Sequence, residues 1–109
     1  MSEWFVFRPQ KAQAYGRPLG NGFLVREGST AMREGSPQVK RDRYERDRLV
    51  SLGILVPDGD PDLYRFSRDH EFTSPSQAAG IVKDGNSSGP GQWRHVDTGV
   101  SLKDWLAQK

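Results

Sequence analysis

The residues of this chain best suited to chemistry are four arginines and a tyrosine, and the chemistry is the grip of a polyanion. Arg41, Arg43, Tyr44 and Arg48 lie within "SPQVKRDRYERDRLVSLG" (36–53), and Arg94 follows Trp93 beside the glycine-rich stretch "GNSSGPG" (85–91). On a helix, Arg41, Tyr44 and Arg48 are spaced i, i+3, i+7 and share one side. Arginine meets phosphate through two parallel hydrogen bonds, and tyrosine can donate to the same groups. Arg43 is off that stripe but also away from the apolar positions Leu49 and Leu52, so it is expected in solvent. Arg46 lies nearer the apolar side, and its stem is expected to cover core. Against the binding reading stand Asp42, Glu45 and Asp47, interleaved with the arginines. Arg41–Glu45 and Asp42–Arg46 have the spacing of ordinary pairs on a solvated helix. The residues leave both readings open. Trp93 is either a stacking surface for a base or a plug for the core, and the scarcity of large apolar residues favours the plug. Arg94 is free to face a ligand in either case.

Catalytic constellations are harder to assemble. The chain has no cysteine, which removes disulfides, thiol nucleophiles and thiolate metal sites. A carboxylate-x-lysine of the metal-nuclease type is missing, because Lys83, Lys103 and Lys109 have no Asp or Glu two positions earlier. "DGDPDLYRFSRD" (58–69) has acids at calcium-loop positions, but Leu63 stands where the sharp turn needs glycine, and Pro61 precedes it. A solvated acidic loop is the expectation there. Asp69-His70-Glu71 is expected to be a loop entering a helix, its acids placed to suit the helix dipole. Ser74 and Ser76 are expected to cap, not to attack. The glycines after 84 lack the Gly-Lys-Ser/Thr of a phosphate loop. The expectation is a non-enzyme with no cofactor and no metal.

These side chains must be positioned by a small domain. The 109 residues fit one domain, 1–109, and 34% hydrophobic residues imply a thin core built largely on 11 aromatics. The pI is about 9.2 and the mean hydropathy −0.77. Residues 1–50 have 10 basic and 6 acidic side chains against 6 and 8 in the remainder, a weakly basic half compatible with a phosphate-bearing partner without demanding one. No stretch is long and apolar enough for a membrane span, and the N-terminus lacks the basic start of a signal peptide, so a cytoplasmic setting is expected. "EWFVFR" (3–8) alternates as a strand, "RPLGNG" (17–22) is a turn, and "FLVREGS" (23–29) is a strand paired with the segment around Ala14 and Tyr15. A polar link follows through Gly35. A helix is expected over 36–52, with Ser36 as cap, Pro37 in the first turn and Gly53 as stop. "LYRFSR" (63–68) reads as a third strand. In "FTSPSQAAGIV" (72–82), Ser74 caps, Pro75 takes the first helical position and Gln77 completes a capping box, giving a helix over 74–84. Ser101 and Asp104 repeat that logic for a helix over 101–108 whose Leu102, Trp105 and Leu106 share a face. The sum is an α+β domain with one small, mainly antiparallel sheet and three short helices.

Several of these segments together resemble a small bacterial domain of unknown function. "GFLVREGS" (22–29) resembles its strand ending in Gly-Ser, and "FTSPSQAAGIV" its typical aromatic-x-Ser-Pro-Ser-x-Ala-Ala motif. Trp93 after a glycine-containing loop and "GVSLKDWL" (99–106) resemble its C-terminal end. The resemblance spans roughly 12–107. Members of that family occur alone, C-terminal to GIY-YIG nuclease domains and in restriction–modification proteins. The family also resembles the RAMA (restriction enzyme adenine methylase associated) domain, for which DNA binding is the proposed role. One departure stands out: Ser88-Gly89 replaces the usual Asn-Gly before the tryptophan. The resemblance implies a DNA-binding accessory domain, with protein–protein docking onto a nuclease or methylase as the alternative.

Overall fold

Alternating inward and outward side chains along the N-terminal segment build a meander of strands. The computed structural model describes residues 3–33, 43–84 and 89–108, the side chain of Arg43 excepted. Strands β1 (Phe5–Phe7), β2 (Ala14–Leu19) and β3 (Gly22–Val25) pair antiparallel in sequence order. Phe5, Phe7, Ala14, Phe23 and Val25 point inward and are buried. The turn joining β2 and β3 is only Gly20-Asn21, with Gly20 at φ +59°, so Arg17 to Leu19 belong to the strand and not to the turn expected over 17–22. Pro18 is tolerated there because β1 pairs β2 only as far as Gly16; at Pro18 the ladder has a partner on the β3 side alone.

The α+β class holds, but there are two sheets where one was expected. The second has the order β4 (Thr30–Met32), β6 (Leu63–Phe66), β5 (Leu55–Pro57), all antiparallel. The first gains β7 (His70–Phe72) on β3 and β8 (Arg94–His95) on β1, giving the order β7-β3-β2-β1-β8. The polar link therefore contains β4, and Asp69-His70-Glu71 enters a strand, not a helix-capping loop. Strand β6 is the one expected over 63–68, whereas β4, β5, β7 and β8 have two or three residues, too few for alternation to register; backbone pairing supplies them instead. The sheets meet where Gly28 N–H donates to Phe66 O (3.0 Å) and Phe66 N–H donates to Ser29 O (2.8 Å). Phe66 and Phe72 pack edge to face across the junction.

Three helices close the core. Helix α2 (Pro75–Lys83) follows the expected grammar: Ser74 Oγ accepts from Gln77 N–H (3.0 Å) with Pro75 in the first turn. Gln77 Oε1 reaches back one residue further than in a standard capping box, accepting from the Thr73 N–H and hydroxyl. Ala78, Ala79, Ile81 and Val82 are buried. Helix α3 (Leu102–Ala107) is capped by Ser101, whose Oγ accepts from Asp104 N–H. Its apolar face is narrower than expected, because Leu102 is buried and Trp105 packs edge on to Phe5 while Leu106 is exposed. Helix α1 (Arg43–Ser51) lies within the expected 36–52 span, whose earlier part is outside the described residues. Leu49 is buried, but Leu52 is exposed in the turn that Gly53 (φ +74°) closes.

Trp93 is fully buried, packed on Phe7 and Phe23, with its indole N–H donated to Pro75 O (3.1 Å). It is the core plug. Gly89 is buried against the first turn of α2, where a Cβ would stand 2.5 Å from Ser76 Oγ. The glycine of the Ser-Gly dipeptide is thus needed for close packing.

Arg46 does more than cover core with its stem. The whole side chain is buried, and its guanidinium donates to Met32 O at the end of β4 and to Ile81 O in the last turn of α2. Its Nε lies 3.7 Å from Asp84 Oδ1, also buried, and the guanidinium is 5.4 Å from the Tyr64 ring. A buried charge is tolerated only when paired and hydrogen-bonded, and the fork of arginine meets three elements at once. Arg46→Ala is expected to lower unfolding free energy by about 3–5 kcal/mol in denaturant titrations, since Asp84 and two carbonyls lose their partner. Arg46→Lys should recover only part of that, because a point charge cannot span both carbonyls. Ser74→Ala is expected to cost about 1 kcal/mol in the same assay through the lost cap.

Candidate nucleic-acid interface

The five-stranded sheet has two unlike faces. Its inner face carries the phenylalanines and Trp93, against which α2 and α3 bring their buried residues. On its outer face, the described residues place no helix. Strand register assigns the outward positions in rows. One row runs Arg94, Val6, Tyr15, Arg26: Arg94 pairs with Val6, Val6 with Tyr15, and Arg26 N–H donates to Tyr15 O (2.8 Å). The next row holds Trp4, Arg17, Leu24 and Glu71; Arg17 pairs with Leu24 and Leu24 with Glu71, while Trp4 lies one step along from the Phe5–Gly16 pair. Arg8 closes the face, its Nε donating to Gln13 Oε1 (3.3 Å), while Gln13 Nε2 donates to the Tyr15 hydroxyl.

Four arginines, Arg8, Arg17, Arg26 and Arg94, thus share one face with Trp4 and Tyr15. The guanidinium of Arg26 lies 4.6 Å from the Tyr15 ring centroid and 5.1 Å from that of Trp4; that of Arg17 lies 5.7 Å from Trp4. Such contacts hold a guanidinium flat on a ring while its N–H edges stay available. Three acids sit nearby: Asp69, one step beyond the Val25–His70 pair and so opposite Arg26, accepts from Glu27 N–H (2.7 Å). Glu3 is 3.9 Å from Arg17, a long exposed pair of small energetic weight, and Glu71 lies at the β7 edge.

The residues expected at the interface are divided by this geometry. Arg94 is exposed on the outer face, at the β8 edge, with Nη1 donating to Gly99 O (3.4 Å). Tyr44 is on α1 and 84% exposed, without a partner surface in view. Arg48 shares that helix, but Glu45 holds it through two hydrogen bonds, the shorter 2.7 Å. Arg48 influences His70 on β7, the sheet edge opposite Arg94. Four strand spacings separate those edges, about 19 Å. Arg41 and the Arg43 side chain lie outside the described residues. The structure brings Tyr44 and Arg48 together and sets Arg94 apart, with Arg8, Arg17 and Arg26. Sequence reasoning missed those three and the two rings. Their signal was present as the alternate positions of "EWFVFR", "AYGR" and "FLVR", but combining them requires the strand register.

The fold is that of an α+β domain with arginines gathered on one sheet face. Residues 5–106 match the family model described as "Domain of unknown function (DUF4357)", and the chain belongs to that family. No curated protein and no solved structure matches the chain.

His70 marks the boundary between α1 and β7. Burial is the main cause that lowers its pKa; Glu45 acts in the opposite direction, while Arg48 and Arg68 add to the lowering. Its neutral form is therefore favoured in the folded state. Stability from this group is full above the unfolded pKa of about 6.5 and is lost as pH falls from there through the folded value. Thermal melts at about pH 7.5 and about pH 5.5, on either side of that reference, should show a smaller drop for His70→Gln than for wild type. Equal drops would exclude His70 as a source of acid sensitivity.

Proposed function

We propose that this domain is a non-catalytic accessory module that binds nucleic acid, with DNA as the favoured ligand, through the outer face of its five-stranded sheet. The observation that carries the reading is the gathering of Arg8, Arg17, Arg26 and Arg94 on one sheet face beside Trp4 and Tyr15, where the register also places the acids Glu3, Asp69 and Glu71. Phosphate contacts supply most of the affinity of such proteins, and arginine makes them with the best geometry. The resemblance to the RAMA domain supports a nuclease or restriction–modification setting in the cytoplasm, where a linked or partner chain would perform the chemistry.

Salt titration distinguishes this from docking onto a protein. If all four arginines meet phosphates of a single strand, log K against log salt should have a slope near −3, because about 0.7 counterion is released per contact. An apolar protein interface has no comparable dependence. Arg17→Ala/Arg26→Ala should weaken binding and reduce the steepness by about 1.4. Arg41→Ala/Arg48→Ala should leave both almost unchanged, and the opposite result would move the surface to α1. Strand cleavage by the purified protein, abolished by a single Asp or His substitution, would refute the non-catalytic assignment.

A further inference from the structure

Resting on that reading, we infer that the face selects single-stranded DNA, and that the outer surface of the Arg26 guanidinium is the plane on which an unpaired base stacks. Phosphate attraction alone explains the arginines but not the rings among them. Trp4 and Tyr15 lie under the middle of the face, on the segment entering β1 and on β2, and both are partly buried. Arg26 bridges them, 5.1 Å and 4.6 Å from the two centroids, while itself exposed. Its guanidinium is thus held at the two rings while part of it stays open to solvent, and a planar, weakly hydrated group of this kind is one on which bases stack.

Shape excludes the alternative of reading a duplex from its groove. Five strands are about 19 Å across, whereas the major groove is about 12 Å wide and takes a helix or a two-stranded ribbon. A duplex can reach this face only by its phosphates, and its bases, already stacked, gain nothing from the central plane. A single strand gains both. The stacking centre at Arg26 has Arg17 on the neighbouring strand and Arg94 three strand spacings away, about 14 Å, so the phosphates meet cations on its β2-to-β8 side. The polar groups of the face best placed to sense a ribose hydroxyl, Gln13 and Tyr15, are bonded to each other and to Arg8. These side chains are engaged within the face, and the oligouridylate comparison reads whether a ribose hydroxyl adds to binding.

The test uses the full chain and a fluorescent oligothymidylate of about 15 nucleotides, within the span of known single-strand sites. It is compared with the same strand annealed to oligoadenylate and with oligouridylate, at about 50 mM and about 200 mM salt. The expected result is at least tenfold tighter binding of the single DNA strand than of the duplex, with the RNA strand no tighter. The decisive variant is Arg26→Lys, which keeps the charge and removes the plane. It should retain salt-dependent binding while the preference for single strand falls to threefold or less. Circular dichroism confirms that this surface variant is folded. Equal or tighter binding of duplex, tighter binding of RNA, or an unchanged preference in Arg26→Lys overturns the inference while leaving salt-dependent nucleic-acid binding intact. Failure of every strand to bind overturns both.

Discussion

A guanidinium sealed from water is the constraint on which this domain depends. Arg46 takes its charge into the place where α1, the end of β4 and the last turn of α2 converge, and it finds there two carbonyls, a carboxylate and the edge of a tyrosine's environment. The Ile81 carbonyl belongs to the group that a helix end leaves without intrahelical partners, so the arginine serves as a C-terminal cap delivered from another helix. Asp84 contributes by ending α2 in the left-handed conformation, at φ +58°, which turns its carboxylate toward the same point. Apolar contact is indifferent to direction. This junction is not, and it fixes how the three-stranded sheet and its helix sit on the rest of the core.

The aromatic residues are divided by that arrangement. Phe5, Phe23, Phe66, Phe72 and Trp93 fill a core that few aliphatic residues could fill alone. Trp4 and Tyr15 are spared from it and lie beneath arginines on the opposite side of the sheet. An arginine lying on a ring has lost much of its rotamer freedom before any ligand arrives, so less entropy is lost on contact. The rigid interior and the ordered exterior are two uses of one strand alternation.

The helices were largely legible in the sequence, because caps are local. Ser74, Pro75 and Gln77 specify the start of α2 within four residues, and Ser101 with Asp104 does the same for α3. Strands β1, β3 and β6 were legible from alternation, whereas β4, β5, β7 and β8 were not. Thr30–Met32 and His70–Phe72 have too little alternation to announce themselves and exist because neighbouring backbones need partners. The same physics hid the outer face. Trp4, Tyr15, Arg17 and Arg26 come from three segments, and their adjacency is a matter of register, which no single segment contains. Arg94 was singled out because it sits beside a conspicuous tryptophan. The stripe on α1 stood out because helical spacing is visible in one segment, whereas Arg46, on the same helix, looked like an amphipathic surface residue until three distant elements surrounded it.

The Ser-Pro-Ser-x-Ala-Ala motif is consumed entirely by architecture. Ser74 caps, Pro75 lends its carbonyl to the Trp93 indole, Ser76 lies against Gly89, Gln77 holds Thr73, and the alanines let α2 settle on the sheet. A pattern of this kind identifies a scaffold and is silent about cargo. Two chains can share every letter of it and still present opposite charges on the far side of the sheet, where Arg17 and Arg26 stand in this one. Kinship within the family and likeness of binding are therefore written in separate sets of positions, and the second set must be read from the strands.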